Sequence, residues 1–158
     1  MIPACAIMRC RPETPVLLVD GTTTYNYLAR PTPYATPNVI FVMPEDDFFV
    51  SADENGDTLS NFKYVDPPVE PKNVLHLQFA QKEFKGHHAM MLTVRSFFSR
   101  DIVYHAVMEH PAHRESVKTS TCPLRPKITA TELWPHPISL LLLRDFRFGD
   151  NNHVCSYY

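Results

Sequence analysis

The sequence is poor in glycine, and this excludes one large group of functions. There are 4 glycines in 158 residues, far below the average share of roughly 7%. The glycines are Gly21, Gly56, Gly86 and Gly149. They are too widely separated to form a GxGxxG or GxxxxGK[ST] loop, in which closely spaced glycines let backbone amides approach a phosphate. We therefore expect no nucleotide-binding loop of either type.

The chain also lacks an excess of one charge and lacks long apolar runs. Its 15 Lys and Arg against 17 Asp and Glu give a formal net charge of −2. A nucleic-acid-binding face needs clustered basic residues, and the densest basic stretch is only Arg144–Arg147. No apolar run approaches the roughly 18 residues of a membrane-spanning helix. We expect neither a nucleic-acid partner nor a transmembrane segment.

Catalytic motifs are missing as well. The sequence contains no HExxH zinc motif and no GxSxG turn that would expose a nucleophilic serine. No cysteine pair has the CxxC spacing of a zinc ribbon or a thioredoxin-like redox site. We predict that the protein is not an enzyme and carries no cofactor.

Proline, by contrast, is abundant. The 15 prolines are about twice the average share of roughly 5%, and proline inside a helix removes a hydrogen bond and clashes with the preceding turn. Many of them gather at Pro31–Pro37, Pro67–Pro71, Pro123–Pro126 and Pro135–Pro137, between apolar runs. This pattern predicts short strands with proline-rich connections and excludes a helical bundle.

The runs between these connections have strand patterns. Val16–Val19 and Thr22–Leu28 flank Asp20-Gly21 as a hairpin would. Leu75–Phe79 alternates apolar and polar residues, whereas Ile102–Glu109 is apolar on both faces and indicates a central strand. Ala89–Phe98 is a further long strand, and it could pair with Ile102–Glu109 as a hairpin.

The predicted fold is all-β: a single-domain β-sandwich of immunoglobulin-like or jelly-roll type, with about eight to ten short strands. The domain covers residues 1–158, and we expect residues 1–12 to be poorly ordered or tethered by a disulfide. Trp134 is predicted to lie in the core with its indole N–H bonded nearby.

Four cysteines lie near the two ends of the chain, at Cys5, Cys10, Cys122 and Cys155. Four cysteines allow three pairings. We favour Cys122 with Cys155, which would hold the end of the chain to an earlier segment, and also Cys5 with Cys10. Disulfides form in oxidising compartments, so we predict a periplasmic or secreted protein. The alternative is a cytoplasmic protein with four reduced cysteines.

Histidine and methionine are concentrated in two stretches, 87–91 and 105–113. If the two strands there paired as a hairpin, the imidazole and thioether groups would meet at one end. That mixture suits copper, because sulfur prefers Cu(I) and imidazole accepts both oxidation states. The candidate ligands are His87, His88, Met90, His105, His110 and His113. The simpler interpretation is that the histidines face solvent and the methionines fill the core.

Aromatic residues lie in or beside the connections, where they could contact a partner protein. The candidate interface residues are Tyr25, Tyr27, Tyr34, Phe48 and Phe49. The sequence thus predicts a non-enzymatic, exported β-sandwich that binds another protein, such as an inhibitor, an immunity-like protein or a cell-envelope accessory protein. The alternative function is binding of copper or another transition metal.

Overall fold

The chain folds almost entirely into β-strands. The structure is a computed structural model that describes residues 3–113, 115–149 and 155. A 3-10 helix, Pro3–Ala6, precedes the strands. The first strands are β1 (Cys10–Arg11), β2 (Thr14–Asp20), β3 (Thr23–Ala29), β4 (Thr32–Pro33), β5 (Ala35–Thr36), β6 (Val39–Val42) and β7 (Asp46–Asn55). The remaining strands are β8 (Thr58–Val65), β9 (Val74–Phe84), β10 (His87–Ser96), β11 (Ile102–Glu109), β12 (Ser116–Thr119), β13 (Thr129–Trp134) and β14 (Leu140–Phe148).

Ten strands form one large antiparallel sheet. Its main path is β12-β11-β14-β8-β7-β9-β10-β13, and β6 pairs with both β14 and β5. Strands β14 and β8 meet at only one residue pair, Arg147 with Thr58. We therefore describe the sheet as two halves. The β11 half contains β12, β11, β14, β6 and β5, and the β9 half contains β8, β7, β9, β10 and β13.

The two halves pack against each other around one hydrophobic core. Side chains from both halves belong to the same buried cluster, which includes Ile40, Leu77, Leu92, Leu141 and Leu143. Burying the apolar side of each half supplies the main driving force for folding. The predicted fold class, an all-β, sandwich-like single domain, is confirmed.

Trp134 shows how the open side of the sandwich is held together. The indole is buried, and its Nε1 donates a hydrogen bond of 2.7 Å to Oγ1 of Thr119. This bond links β13 at one border of the sheet to β12 at the other border. The prediction of a core tryptophan with a bonded N–H is confirmed.

The hairpin of β2 and β3 forms a separate two-stranded sheet. Gly21 occupies its turn with φ of +61°, a conformation that glycine adopts without steric cost. Val16 and Leu18 enter the common core. The side-chain amide of Gln81 on β9 accepts from the N–H of Val19 and donates to its carbonyl, both at 2.8 Å. The predicted hairpin is confirmed.

One predicted pairing is wrong. Strand β10 pairs with β9 and β13, whereas β11 pairs with β12 and β14, so β10 and β11 do not form a hairpin. The connection between them carries Phe98, which is buried in the core beside Ile102. A tight turn would expose this ring, and the chain instead crosses from one half of the sandwich to the other.

Both favoured disulfides are present, Cys5–Cys10 and Cys122–Cys155. Disulfides of this kind are typical of proteins in an extracellular or otherwise oxidising compartment. In the part of the chain that the structure describes, no helix is long and apolar enough to cross a membrane.

Candidate functional site

The outer face of the β11 half carries apolar side chains where a solvent-facing sheet usually carries polar ones. Phe41 on β6 lies opposite Leu142 on β14, and Leu142 lies opposite Val107 on β11. Their neighbours along each strand, such as Ile40 and Leu143, point into the core. The three side chains therefore form a row across three strands on the side of the sheet that faces away from the core.

Two further residues extend this row on the same face. Val39 lies two residues before Phe41, and Leu140 lies two residues before Leu142, so by alternation each belongs to the same side of the sheet; Leu140 also packs against the core cluster. Val107 is only 5% exposed, whereas the others are half-buried. We call this surface the apolar stripe; its residues are Val39, Phe41, Val107, Leu140 and Leu142.

A polar group borders the apolar stripe. Nδ1 of His105 on β11 lies 3.0 Å from Oδ2 of Asp145, which accepts a hydrogen bond from the ring N–H. Asp145 has φ of +58° and sits at a register shift between β11 and β14. Because a bulge re-aims side chains, both Asp145 and the exposed Arg144 lie at this end of the stripe. The stripe is thus an apolar surface with a charged margin, as protein interfaces commonly are.

The outer face of the β9 half is chemically different. Asp47, Gln78 and Thr93 lie side by side on β7, β9 and β10. Nε2 of Gln78 donates to Oδ2 of Asp47 at 3.1 Å, and His76 Nε2 lies 2.6 Å from Oδ1 of the same carboxylate. These polar groups bond to one another, as on the solvated face of a sheet, although the same face also carries Phe49 and Leu133.

The predicted aromatic interface residues occupy different environments. Phe48 is 3% exposed and belongs to the core, because its position on β7 points inward, so it is not available to a partner. Tyr25, Tyr27 and Tyr34 pack against the core and are half-buried. Phe49 lies on the outer face of the β9 half, stacked on His76 with ring centroids 4.2 Å apart.

The predicted copper ligands are not assembled as expected. Because β10 and β11 do not pair, the hairpin that would bring His87 and His88 to His110 does not exist. Met90 is fully buried in the core and faces away from solvent. His105 lies beside Asp145 on the outer face of the β11 half. Within residues 3–113, 115–149 and 155, no group of three or more His, Cys, Asp or Glu residues is placed to hold a metal ion.

Part of the histidine prediction nevertheless converges on one place. His110 and His113 line a cavity of about 190 Å³ together with His136, and the ring centroids of His110 and His113 are 4.8 Å apart. The ring of Tyr25, on the β2–β3 hairpin, contacts His110 edge-on at 5.5 Å. We call this group, His110, His113 and His136, the histidine cavity. His136 was missed by the sequence analysis, although its position between Pro135 and Pro137 marked a rigid connection.

The electrostatics of the histidine cavity favour a neutral His110 ring. Burial lowers the pKa of His110, the neighbouring His113 and His136 lower it further, and Asp20 acts in the opposite direction. The backbone N–H of Ala112 donates to Nδ1 of His110 at 3.0 Å. A neutral imidazole whose Nδ1 accepts a hydrogen bond carries its proton on Nε2, which leaves no free nitrogen on this ring for a metal.

The residues of the apolar stripe were also missed as a site. The signal was present: Val39–Val42 and Leu140–Leu143 are continuous apolar runs, and a strand that is apolar on both sides buries both sides or presents one to a partner. Without the register, the sequence could not show that Phe41, Leu142 and Val107 form one row.

Comparisons with protein-family models, with curated proteins and with solved structures give no match.

Proposed function

We propose that the protein is a non-enzymatic, exported β-sandwich, periplasmic or secreted, that binds another protein through the apolar stripe. The observation that carries this proposal is the cross-strand row of Phe41, Leu142 and Val107 on an outer face. Apolar patches on the surface of soluble proteins mark interaction sites. The two disulfides support export.

The contrast between the two outer faces strengthens the argument. In the β9 half, three adjacent outward positions on β7, β9 and β10 hold Asp47, Gln78 and Thr93, which bond to one another. The equivalent central positions of the β11 half hold side chains that cannot bond to water. Covering the stripe would remove apolar surface from water at roughly 25 cal/mol per Å², whereas covering the polar face would disrupt hydrogen bonds without that gain.

The margin of the stripe indicates what kind of partner fits. Arg144 and Arg147 are exposed on β14, and Arg144 Nε is 3.8 Å from the Asp145 carboxylate. A partner surface with an apolar centre and flanking carboxylates would complement this arrangement, since opposite charges at the rim steer association.

The test uses a photo-crosslinking residue introduced at Leu142, with Thr93 on the polar face as the matched control position. Extracts of exported proteins from the source organism supply the partner, which mass spectrometry identifies. We expect a defined partner to be crosslinked from position 142 and not from position 93. The purified partner is then titrated against the wild type, Leu142→Glu and Thr93→Glu.

We expect Leu142→Glu to weaken binding by at least about tenfold, as loss of a central interface residue does, and Thr93→Glu to leave it unchanged. Urea denaturation of each variant separates lost binding from lost folding, and Leu140→Lys provides a second variant at the margin of the stripe. Equal crosslinking from both positions, or equal weakening by both glutamates, would overturn the proposal.

A further inference from the structure

The borders of the large sheet differ in how well they are protected against pairing with another strand. A free strand edge exposes unpaired backbone groups, and proteins usually shorten, charge or interrupt such edges. Strand β5 has only two residues, Ala35–Thr36, between Pro33 and Pro37. Strand β12 has four residues and carries Lys118. Both edges are poor templates for a further strand.

Strand β13 has none of these protections. It is six residues long, Thr129–Trp134, with no proline and no lysine. Its register with β10 is continuous from Met90↔Trp134 to Arg95↔Thr129, with no bulge. Among the described residues, no backbone group pairs with the edge of β13 that faces away from β10.

The side chains of β13 leave this edge uncharged. Its one ionisable residue, Glu132, turns inward, where Oε1 accepts a hydrogen bond of 2.8 Å from the N–H of Cys122. The outward positions are Thr129, Thr131 and Leu133, all exposed. Leu133 is 55% exposed, and so is Ile128 just before the strand. Exposed apolar residues therefore stand at both ends of an edge that is uncharged and has no backbone partner within residues 3–113, 115–149 and 155.

We propose that β13 pairs antiparallel with β13 of a second copy of the chain, about a two-fold axis through Thr131. A two-fold interface brings the same surface of both copies together, so it must be self-complementary. In this register, Thr131 faces its own counterpart and Leu133 of each copy faces Thr129 of the other. The overlap covers five of the six strand residues, 129–133, and the β9 halves of both copies join into one continuous sheet.

Charge and register both favour β13 of a second copy as the strand that pairs with this edge. An antiparallel pair keeps outward residues opposite outward residues, which restricts the pairing to registers centred on a single residue. Registers centred on Thr131 and on Glu132 each overlap over five strand residues. The first places Glu132 opposite Ala130, whereas the second would place the two Glu132 carboxylates directly opposite each other, so the first is favoured. A strand with an outward lysine or glutamate would oppose equal charges, which destabilises a cross-strand pair.

The first experiment measures the mass of the intact, disulfide-bonded protein by sedimentation velocity and native mass spectrometry over a wide concentration range. We expect a reversible monomer–dimer equilibrium. Thr131→Lys places two lysines opposite each other and should abolish the dimer. Two matched controls should leave it unchanged: Thr93→Lys on the interior strand β10, and Asn26→Lys on the separate hairpin.

The second experiment tests the register. Thr131→Cys should give a disulfide-linked dimer under mild oxidation, because paired Cα atoms in an antiparallel ladder lie about 4.5–5.5 Å apart. Thr93→Cys should not. A wild type that stays monomeric at every concentration, or a Thr131→Lys variant that stays dimeric, would overturn the proposal. A dimer that Leu142→Glu abolishes while Thr131→Lys does not would assign self-association to the apolar stripe instead.

Failure of this proposal leaves the proposed function standing. The apolar stripe lies on β6, β14 and β11, and β13 belongs to the other half of the sandwich. A monomeric protein could still crosslink a partner from Leu142, and a dimeric one could fail to do so.

Discussion

Two polar clusters lie near the β2–β3 hairpin, the Arg11 cluster and the histidine cavity, and they differ in whether their side chains carry a fixed charge. Before the hairpin, Arg11 is 4% exposed, with its guanidinium bound to both carboxylate oxygens of Asp46. Against the hairpin, Tyr25 contacts His110 in the histidine cavity. The first cluster fixes a permanent charge in a closed set of partners. The second contains His110, whose pKa burial lowers.

The Arg11 cluster is closed because every direction of the guanidinium has an acceptor. Nη1 donates to the carbonyls of Thr32 and Pro33 at 3.1 and 3.0 Å, and Nη2 donates to the carbonyl of Phe41 at 2.7 Å. The ring of Tyr34 lies 4.3 Å from the guanidinium carbon. A buried charge is tolerable only when it is paired and hydrogen-bonded in this way. The Arg11 cluster therefore fastens the N-terminal segment to the sandwich, whereas the hairpin contacts the sandwich through His110, a group whose protonation changes with pH.

The largest expected effect comes from breaking the Arg11 cluster. Arg11→Met would leave the Asp46 carboxylate buried without its cation and three carbonyls without a donor. Removing one partner of a buried ion pair costs about 3–5 kcal/mol of the free energy of unfolding, which urea denaturation would measure.

The matched control is Arg9→Met. Arg9 is exposed and lies over the ring of Tyr64 at 4.8 Å, an interaction that contributes about 0.5–1 kcal/mol at exposed sites. If both variants lowered the free energy of unfolding equally, the buried contacts of Arg11 would not be what holds the N-terminal segment to the sandwich.

The next largest effect sharpens the comparison by separating the disulfide from the guanidinium. Cys5 and Cys10 are five positions apart, and closing so short a loop stabilises by about 2 kcal/mol in the chain-entropy description. Cys5→Ser with Cys10→Ser should therefore cost less than Arg11→Met in the same urea experiment, because the hydrogen bonds of Arg11 remain. A larger loss of unfolding free energy in the double serine variant would mean that the disulfide, and not Arg11, is the main link between the N-terminal segment and the sandwich.

The sequence predicted one of these clusters better than the other. Histidine enrichment is visible in composition, so His110 and His113 were singled out. Arg11 stands in a segment expected to be poorly ordered or tethered by a disulfide, and its partner Asp46 is 35 positions away. No local pattern marks such a pair, because the burial that makes it important arises from the packing of β1 against β6 and β7.

The positions of several strands could be predicted from the sequence, but which strands pair with each other could not. Alternation and proline placed the β2–β3 hairpin, the strand around Leu77 and both disulfides, since these depend on local sequence and cysteine count. The expected pairing of β10 with β11 failed because Phe98 draws the connection through the core. The apolar stripe likewise depends on which strands are adjacent, and that is set by long-range packing.

A smaller effect on the free energy of unfolding is expected when the pH is changed, because His110 in the histidine cavity titrates. The pKa of His110 is lowered in the folded state, chiefly by burial and then by His113 and His136. Between that lowered pKa and the ordinary value near 6.5, the unfolded chain binds more protons than the folded one. The contribution of His110 to stability is therefore present above about pH 6.5 and falls as the pH decreases through this window.

Titration of the imidazole proton signals by NMR checks this prediction. His113→Gln removes one of the neighbouring charges and should move the pKa of His110 upward, whereas Asp20→Asn removes the opposing carboxylate and should move it downward. His87→Gln, outside the histidine cavity, is the control and should change nothing. An unchanged His110 titration in both test variants would show that the three rings do not act as a group.

The smallest effect is expected when copper is added to the protein. A copper titration tests whether the histidine cavity binds a metal ion. Copper binding stays a prediction of the sequence, but the geometry argues for weak binding. Nδ1 of His110 is occupied by the N–H of Ala112, and Met90 is buried in the core, so the soft sulfur ligand that would favour Cu(I) is out of reach. Titrating tag-free protein with Cu(I) and Cu(II) should reveal no stoichiometric site, and His110→Ala with His113→Ala should not alter the titration. Tight binding at integral stoichiometry, lost in that double variant, would instead mean that metal displaces the Ala112 hydrogen bond, and the two clusters would then differ in ligand as well as in charge.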